Sequence, residues 1–137
     1  MPLGSRHLSV TIDCPAAVAY AWLSVPENFP QWAAGLATSL REEGGEWIAE
    51  SPVGPMRIVF SPPNDYGVLD HRVYPAEGGE VYVPLRIIPN GEGCELVLTL
   101  FRQPGMDDAK YDQDAALVMR DLEFARKLLE YGPGRRK

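Results

Sequence analysis

Along the chain, apolar residues recur either at every second position or at spacings of three and four. The first spacing predicts strands, and the second predicts helices. Residues 8–12 alternate between apolar and polar side chains, which predicts a half-buried strand. Asp13-Cys14-Pro15 then predicts the start of a short helix, because proline is favoured at the first helical position. Ser24-Val25-Pro26 predicts its end, and a second short helix is expected over residues 27–32, where Pro30 limits its regularity.

Residues 36–102 consist of short runs typical of strands, separated by turns rich in Gly, Pro and Asn. The predicted strands cover residues 36–42, 47–50, 56–60, 66–74, 81–88 and 95–102. The Asn90-Gly91 pair is a strong hairpin signal between the last two. Because most connections are short, we predict an antiparallel meander of six or seven strands.

The final segment predicts one long amphipathic helix. Asp107 is a suitable N-cap, and Gly132-Pro133 predicts an end near Tyr131. Apolar residues recur at spacings of three and four, and the expected buried stripe is Tyr111, Ala115, Val118, Leu122, Ala125 and Leu129, widened by Leu117, Phe124 and Leu128. At about 1.5 Å per residue, this helix is long enough to cross a sheet.

This order of elements predicts an α+β fold. We expect a single helix-grip domain over residues 1–137, in which a curved antiparallel sheet surrounds the long C-terminal helix, with two short helices after the first strand. A straight helix cannot touch every inward-facing residue of a curled sheet. A pocket is therefore expected between the two.

Composition narrows the possible partners. The chain has 137 residues, 45% of them hydrophobic, which suits one folded domain. Its net charge of −6 argues against a nucleic-acid partner, because the single basic run, residues 135–137, is typical of a solvated tail. We find no apolar run long enough for a membrane span and no signal peptide, so a cytoplasmic location is expected.

The two cysteines, Cys14 and Cys94, are expected to be free thiols in the core. They are far apart in the sequence and have no paired histidines, so no metal site is predicted. The chain also has no glycine-rich phosphate loop and no nucleophile elbow. We therefore expect no cofactor.

The opening segment, HLSVTIDCPAAVAYAWLSVPENFPQW, resembles the start of the START-like, Bet v 1-like superfamily, in particular its polyketide cyclase/dehydrase and lipid-transport branch. The residues that match the motif are Pro15, Val18, Trp22, Asn28, Pro30 and Trp32. The stretch YGVLDHRV, the Asn90-Gly91 hairpin and the terminal helix are also similar. The resemblance implies a helix-grip fold with a hydrophobic cavity, but it implies no particular reaction.

Three functions are compatible with this resemblance. The first is binding of a small hydrophobic or aromatic ligand by a carrier or sensor. The second is an enzyme of the cyclase, aromatase or dehydratase type that uses the same cavity, and the third is a protein-interaction module like the chaperone activators. A homodimer is compatible with each of them.

His71 is the polar residue with the clearest potential for chemistry. It shares one face of a predicted strand with Leu69 and Val73, whereas Asp70 and Arg72 share the other face. If the first face lines the cavity, the imidazole points into it and can act as a general acid or base near neutral pH. The alternative is a buried histidine that is hydrogen-bonded to a backbone group or a tyrosine.

The other candidate residues are aromatic, flexible or cationic. Arg86 can bind a ligand carboxylate, but it can equally lie on the convex face or pair with a protein carboxylate. Met56 and Met119 suit adaptable pocket walls. The full predicted ligand-binding set is Trp32, Trp47, Met56, His71, Tyr82, Arg86, Tyr111 and Met119.

Overall fold

A computed structural model describes residues 1–34 and 36–135 of the chain. The eight strands are β1 (Ser5–Ile12), β2 (Ser39–Glu43), β3 (Glu46–Ser51), β4 (Gly54–Phe60), β5 (His71–Pro75), β6 (Val81–Val83), β7 (Leu85–Asn90) and β8 (Gly93–Phe101). The helices are α1 (Ala16–Leu23), α2 (Phe29–Trp32) and α3 (Asp108–Tyr131), with short 3₁₀ turns at Pro26–Asn28 and Pro133–Arg135. Arg136 and Lys137, from the predicted basic tail, lie outside the described residues.

The strands form two antiparallel groups, which are joined by hydrogen bonds between the segment before β5 and strand β7. One group has the order β1-β8-β7, and the other has the order β2-β3-β4-β5-β6. Backbone hydrogen bonds between residues 67–69 and residues 85–87, each 2.8 Å long, connect them. The result is the curved antiparallel sheet of a helix-grip fold, as the sequence predicted.

The described residues contain eight strands rather than six or seven because Pro84 divides one predicted strand into β6 and β7. His71 lies opposite Val83, and Val68 lies opposite Arg86 in the same register. This register places Asp70 opposite Pro84. The Pro84 carbonyl accepts a hydrogen bond from the Thr99 N–H of β8 at 3.0 Å, but proline has no N–H to donate back to β8. The strand bends there, so that β6 pairs with β5 and β7 pairs with β8.

The carboxylate of Asp70 links the residues on either side of Pro84. It accepts hydrogen bonds from the Leu85 N–H at 2.8 Å, from the Tyr82 hydroxyl at 2.9 Å and from the Arg86 guanidinium at 2.7 and 2.8 Å. Burial alone would raise the pKa of Asp70, but the hydrogen bonds from Arg86, Leu85 and Tyr82 hold that pKa below its usual range. Asp70 therefore stays ionised and holds the two sides of the bend together.

Helix α3 begins and ends where the sequence predicts. The Asp107 side chain caps it by accepting a hydrogen bond from the Lys110 N–H at 2.8 Å. Its buried residues are Tyr111, Ala115, Leu122, Ala125 and Leu129, and the helix packs mainly along β1 and against α2. The expectation that Phe124 widens this stripe is wrong, because Phe124 lies about 200° around the helix from Leu122 and is 49% exposed.

The concave face of the sheet and the three helices enclose one continuous apolar core. Both Cys14 and Cys94 are free thiols within it, and burial raises the pKa of Cys94 to about 11. The second short helix is shorter than predicted, because residues 26–28 form a 3₁₀ turn before α2. No helix in the described part of the chain has the length and apolar character needed to span a membrane.

Replacing Leu122 tests how α3 is docked. Leu122 is fully buried against the core, so we expect Leu122→Ala to lower the free energy of unfolding by about 2–5 kcal/mol. Phe124→Ala on the exposed side of the same helix is the control and should change it by less than about 0.5 kcal/mol. Urea denaturation of both variants measures this, and equal effects would contradict the docking described here.

Candidate functional site

A small, partly open cavity lies between the two short helices and the concave face of the sheet. Its volume is about 30 Å³. Residues of α1, α2, β4, β5 and β7 and of the loop between β4 and β5 line it: Tyr20, Leu23, Ser24, Phe29, Trp32, Phe60, Ser61, Pro63, Leu69, His71 and Leu85. Two of the residues predicted from the sequence, Trp32 and His71, therefore meet at one site.

Four aromatic rings form the centre of this site. The ring centroid of Phe29 lies 5.3 Å from Trp32, 5.4 Å from Phe60 and 5.3 Å from His71. All three contacts have the edge-to-face geometry that aromatic pairs prefer. Phe29 is thus the shared neighbour of the other three rings.

Trp32, which lines the cavity, carries a buried hydrogen-bond donor without a partner among the described residues. Its side chain is buried at the end of α2, and its indole Nε1–H has no partner among the described residues. Leaving a buried donor unsatisfied typically costs about 1–3 kcal/mol. A group that supplies an acceptor to this N–H would recover that free energy.

His71 lies at the start of β5 with only 4% of its surface exposed. It points to the concave side together with Val73, and Leu69 also lines the cavity, as strand alternation predicted. Its Nδ1 atom lies 3.2 Å from the carbonyl oxygen of Leu69. Because a carbonyl only accepts, this hydrogen bond requires a proton on Nδ1 and makes Nε2 the acceptor nitrogen of the neutral ring.

Burial lowers the pKa of His71 below its usual range, and the Leu69 carbonyl and the Asp70 charge offset this only in part. The imidazole is therefore neutral at physiological pH. The site combines one donor, the indole of Trp32, with one acceptor, Nε2 of His71.

The outer wall of the site is a tightly bonded loop. The side chain of Asn64 accepts hydrogen bonds from the backbone N–H groups of Tyr66 and Val68 and donates to the carbonyls of Pro62 and Val68. The backbone N–H of Asn64 also donates to the Tyr20 hydroxyl at 2.9 Å. This contact fixes the loop to α1, so Tyr20 and Pro63 form a stable wall of the cavity.

Three other predicted ligand-binding residues face the core but do not line the cavity. Met56 is buried on β4, and Met119 packs on the same core from α3. Trp47 is half-buried on β3, with its ring centroid 6.4 Å from Phe60. The cavity that contains Trp32 and His71 lies beside α1 and α2 and has no lining residue from α3, whereas the sequence predicted a pocket beneath α3.

The remaining three predicted residues have structural partners elsewhere. Tyr82 and Arg86 lie on the convex face, bonded to Asp70, because they have the opposite strand parity to the inward-facing Val83. Tyr111 is buried at the start of α3, where its hydroxyl donates to the Leu100 carbonyl at 2.8 Å. None of the three shares the cavity with Trp32 and His71.

An open depression of about 210 Å³ lies over the outer face of β4, β5 and β6. Its charged groups already have partners, since Asp70 binds Arg86 and Arg72 binds Glu80 at 2.9 Å. Among the described residues, no three His, Cys, Asp or Glu side chains are close enough together to hold a metal ion.

The residues that sequence analysis missed are mainly Phe29, Phe60 and Tyr20. Phe60 has the same strand parity as Met56, so alternation along β4 could have identified it. Phe29 lies within the matched segment that contains Asn28 and Trp32, but no periodicity shows which way a one-turn helix points.

Comparisons with solved structures place this fold among known proteins. DynU16, a protein in the dynemicin biosynthetic locus, is 18% identical with a TM-score of 0.71, over 97% of this chain and 49% of DynU16. The chain therefore spans about half the length of DynU16. Ara h 8.0201 is 10% identical with a TM-score of 0.67, over 93% of this chain and 97% of that protein.

A START superfamily protein from Mycobacterium smegmatis is 16% identical with a TM-score of 0.61, over 92% of this chain and 94% of that protein. No family model and no curated protein matches the sequence. At these identities the comparisons establish the fold, which is the START-like, Bet v 1-like helix-grip fold that the opening motif suggested.

The lowered pKa of His71 predicts a specific pH dependence of stability. In the unfolded chain the histidine titrates near pH 6.5, so below that pH the unfolded state binds more protons than the folded state. The free energy of unfolding should therefore fall as the pH drops through this range, by at most about 1.4 kcal/mol per pH unit.

Urea denaturation of the wild type and of His71→Gln at pH 7.5, 6.5 and 5.5 tests this. The difference in stability between the two proteins should shift against the wild type at the lower pH values. Because His7 and the carboxylates are present in both proteins, their contributions largely cancel. A difference that stays constant with pH would show that His71 titrates normally in the folded protein.

Proposed function

We propose that this protein binds a small hydrophobic or aromatic molecule in the cavity formed by Trp32 and His71, as a carrier or sensor. The observation that carries the proposal is the buried indole N–H of Trp32, which has no partner among the described residues and belongs to the same cavity wall as His71. Buried polar groups in folded proteins normally have partners. An exception at a cavity is a reason to expect a ligand there.

The polarity of the site specifies the ligand further. The apolar rings of Phe29 and Phe60 favour a flat apolar body. The indole needs an acceptor, and Nε2 of His71 offers a lone pair. A hydroxyl group on the ligand meets both requirements, because its oxygen accepts from an N–H and its proton can be donated to a ring nitrogen.

The hydroxyl groups of the cavity favour binding over catalysis. Ser61 Oγ donates to the Asp70 carbonyl at 2.6 Å, and Ser24 Oγ donates to the Ala21 carbonyl at 3.4 Å. The Tyr20 hydroxyl accepts from the Asn64 N–H. A cyclase-type enzyme needs at least two groups that exchange protons with the substrate. Here both serine protons are donated to backbone carbonyls and the Tyr20 oxygen is held by the loop, so His71 is the one lining residue of a type that ordinarily titrates near neutral pH.

The fold comparisons are consistent with this proposal at the level of architecture. Proteins of this fold hold small molecules between the sheet and the helices, as the resemblance of the opening segment also implies. Fold alone does not distinguish a carrier from an enzyme. The choice of a carrier or sensor therefore rests on the Trp32 and His71 geometry.

A matched pair of ligands tests the proposal. Phenol and toluene have nearly the same shape, but only phenol carries a hydroxyl group. We expect the wild type to bind phenol more tightly than toluene in calorimetric titrations, because a single hydrogen bond contributes about 0.5–1.5 kcal/mol, or roughly threefold to tenfold in affinity.

Two variants assign this preference to the site. Trp32→Phe should remove most of the preference for phenol, whereas Trp47→Phe, the same change outside the cavity, should leave it intact. An equal preference in all three proteins, or no binding of either compound, would contradict the proposal.

A further inference from the structure

The cavity is smaller than the kind of ligand that its lining suits. At about 30 Å³ it has room for little more than ordered water. A benzene-sized ligand occupies a cavity of roughly 150 Å³. Some group that now fills the site must therefore move before an aromatic molecule can enter.

Phe29 is the group whose position fits this requirement. Its ring is equally close to the two polar partners, with centroid distances of 5.3 Å to both Trp32 and His71. It is 3% exposed and lies within the aromatic cluster rather than at its edge. A ligand ring that lies between Trp32 and His71 would occupy the position that the Phe29 ring now fills.

The neighbouring elements make Phe29 easier to displace than the other rings. Phe60 and His71 belong to adjacent strands, and their backbones are paired in the sheet. Phe29 is the first residue of α2, a single turn of four residues without a side-chain N-cap. The Asn28 side chain donates to the Trp22 carbonyl at 2.9 Å and ties this turn to α1, so the Phe29 side chain can rotate while its backbone stays anchored.

We infer that Phe29 is an internal plug that occupies the aromatic-ring position of the ligand and sets the affinity of the site. This inference rests on the proposed function. Ligand binding then selects a minor state in which the Phe29 ring has left the cavity. The apparent affinity of the wild type is reduced by the small fraction of molecules in that state.

The first test observes the plug in the wild-type protein. In the free protein, nuclear Overhauser effects should connect the Phe29 ring with the rings of Trp32 and His71. With saturating phenol these contacts should weaken or vanish, while contacts between Phe60 and His71 persist. Full retention of the Phe29 contacts in the phenol complex would overturn the inference.

The second test compares two leucine substitutions in the same cavity. Phe29→Leu should tighten phenol binding by at least about tenfold, because minor states are typically populated at about 0.1–10% and this variant no longer pays to expel the ring. Phe60→Leu removes the same atoms but leaves Phe29 between Trp32 and His71. It should change the affinity by less than about threefold.

The results for these variants distinguish a failure of the inference about Phe29 from a failure of the proposed ligand-binding function. Equal tightening in both variants, or none in Phe29→Leu, would overturn the plug while leaving the proposed function standing if binding still depends on Trp32. If phenol binding depends on Trp32 in neither the wild type nor Phe29→Leu, the proposed function itself fails. Thermal unfolding of each variant confirms that the proteins compared are folded.

Discussion

The bend at Pro84 depends on the carboxylate of Asp70, and the shape of the sheet depends on that bend. Proline has no N–H to donate to β8, and the carboxylate of Asp70, which directly precedes β5, collects four donors from the residues on either side of the bend. This arrangement allows one continuous segment to pair with β5 on one side of the bend and with β8 on the other. The two groups of strands are therefore held together where the sheet curls around the helices.

The same local geometry creates the candidate site. Since Asp70 faces outward, its neighbour His71 must face inward, where Phe29 and Trp32 approach from α2. Burial keeps the imidazole neutral, and the Leu69 carbonyl orients it. A structural requirement on one face of β5 thus fixes the position of a polar group on the other face, beside an indole N–H that has no partner among the described residues.

Sequence patterns predicted the features that depend on local chemistry. Strand alternation placed His71 on the inner face, and the cap at Asp107 and the stripe through Leu122 located α3. Tyr82 and Arg86 were predicted to bind a ligand but bind Asp70 instead, and this contact depends on how distant segments pair in the sheet. Alternation already places Tyr82 and Arg86 on the face opposite Val83, but it does not show that both bind Asp70, which comes from a neighbouring segment of the sheet.

The size of the cavity also lay beyond sequence reasoning. A helix across a curled sheet predicts a gap, but the volume of that gap depends on how individual side chains pack. Here the cavity that contains Trp32 and His71 lies beside α1 and α2 rather than beneath α3. The direction in which Phe29 points into it is a property of the packed structure.

The most direct test of the account follows the indole N–H of Trp32 in a proton–nitrogen correlation spectrum. Comparison with Trp32→Phe assigns its signal among the three tryptophans. The account predicts that phenol shifts this proton signal downfield in a saturable manner, as expected for a donor that gains a partner, while toluene does not and the signals of Trp22 and Trp47 move little. A Trp32 signal that is unchanged at saturating phenol, or that responds equally to toluene, would contradict the claim that this N–H is the polar anchor of a ligand site.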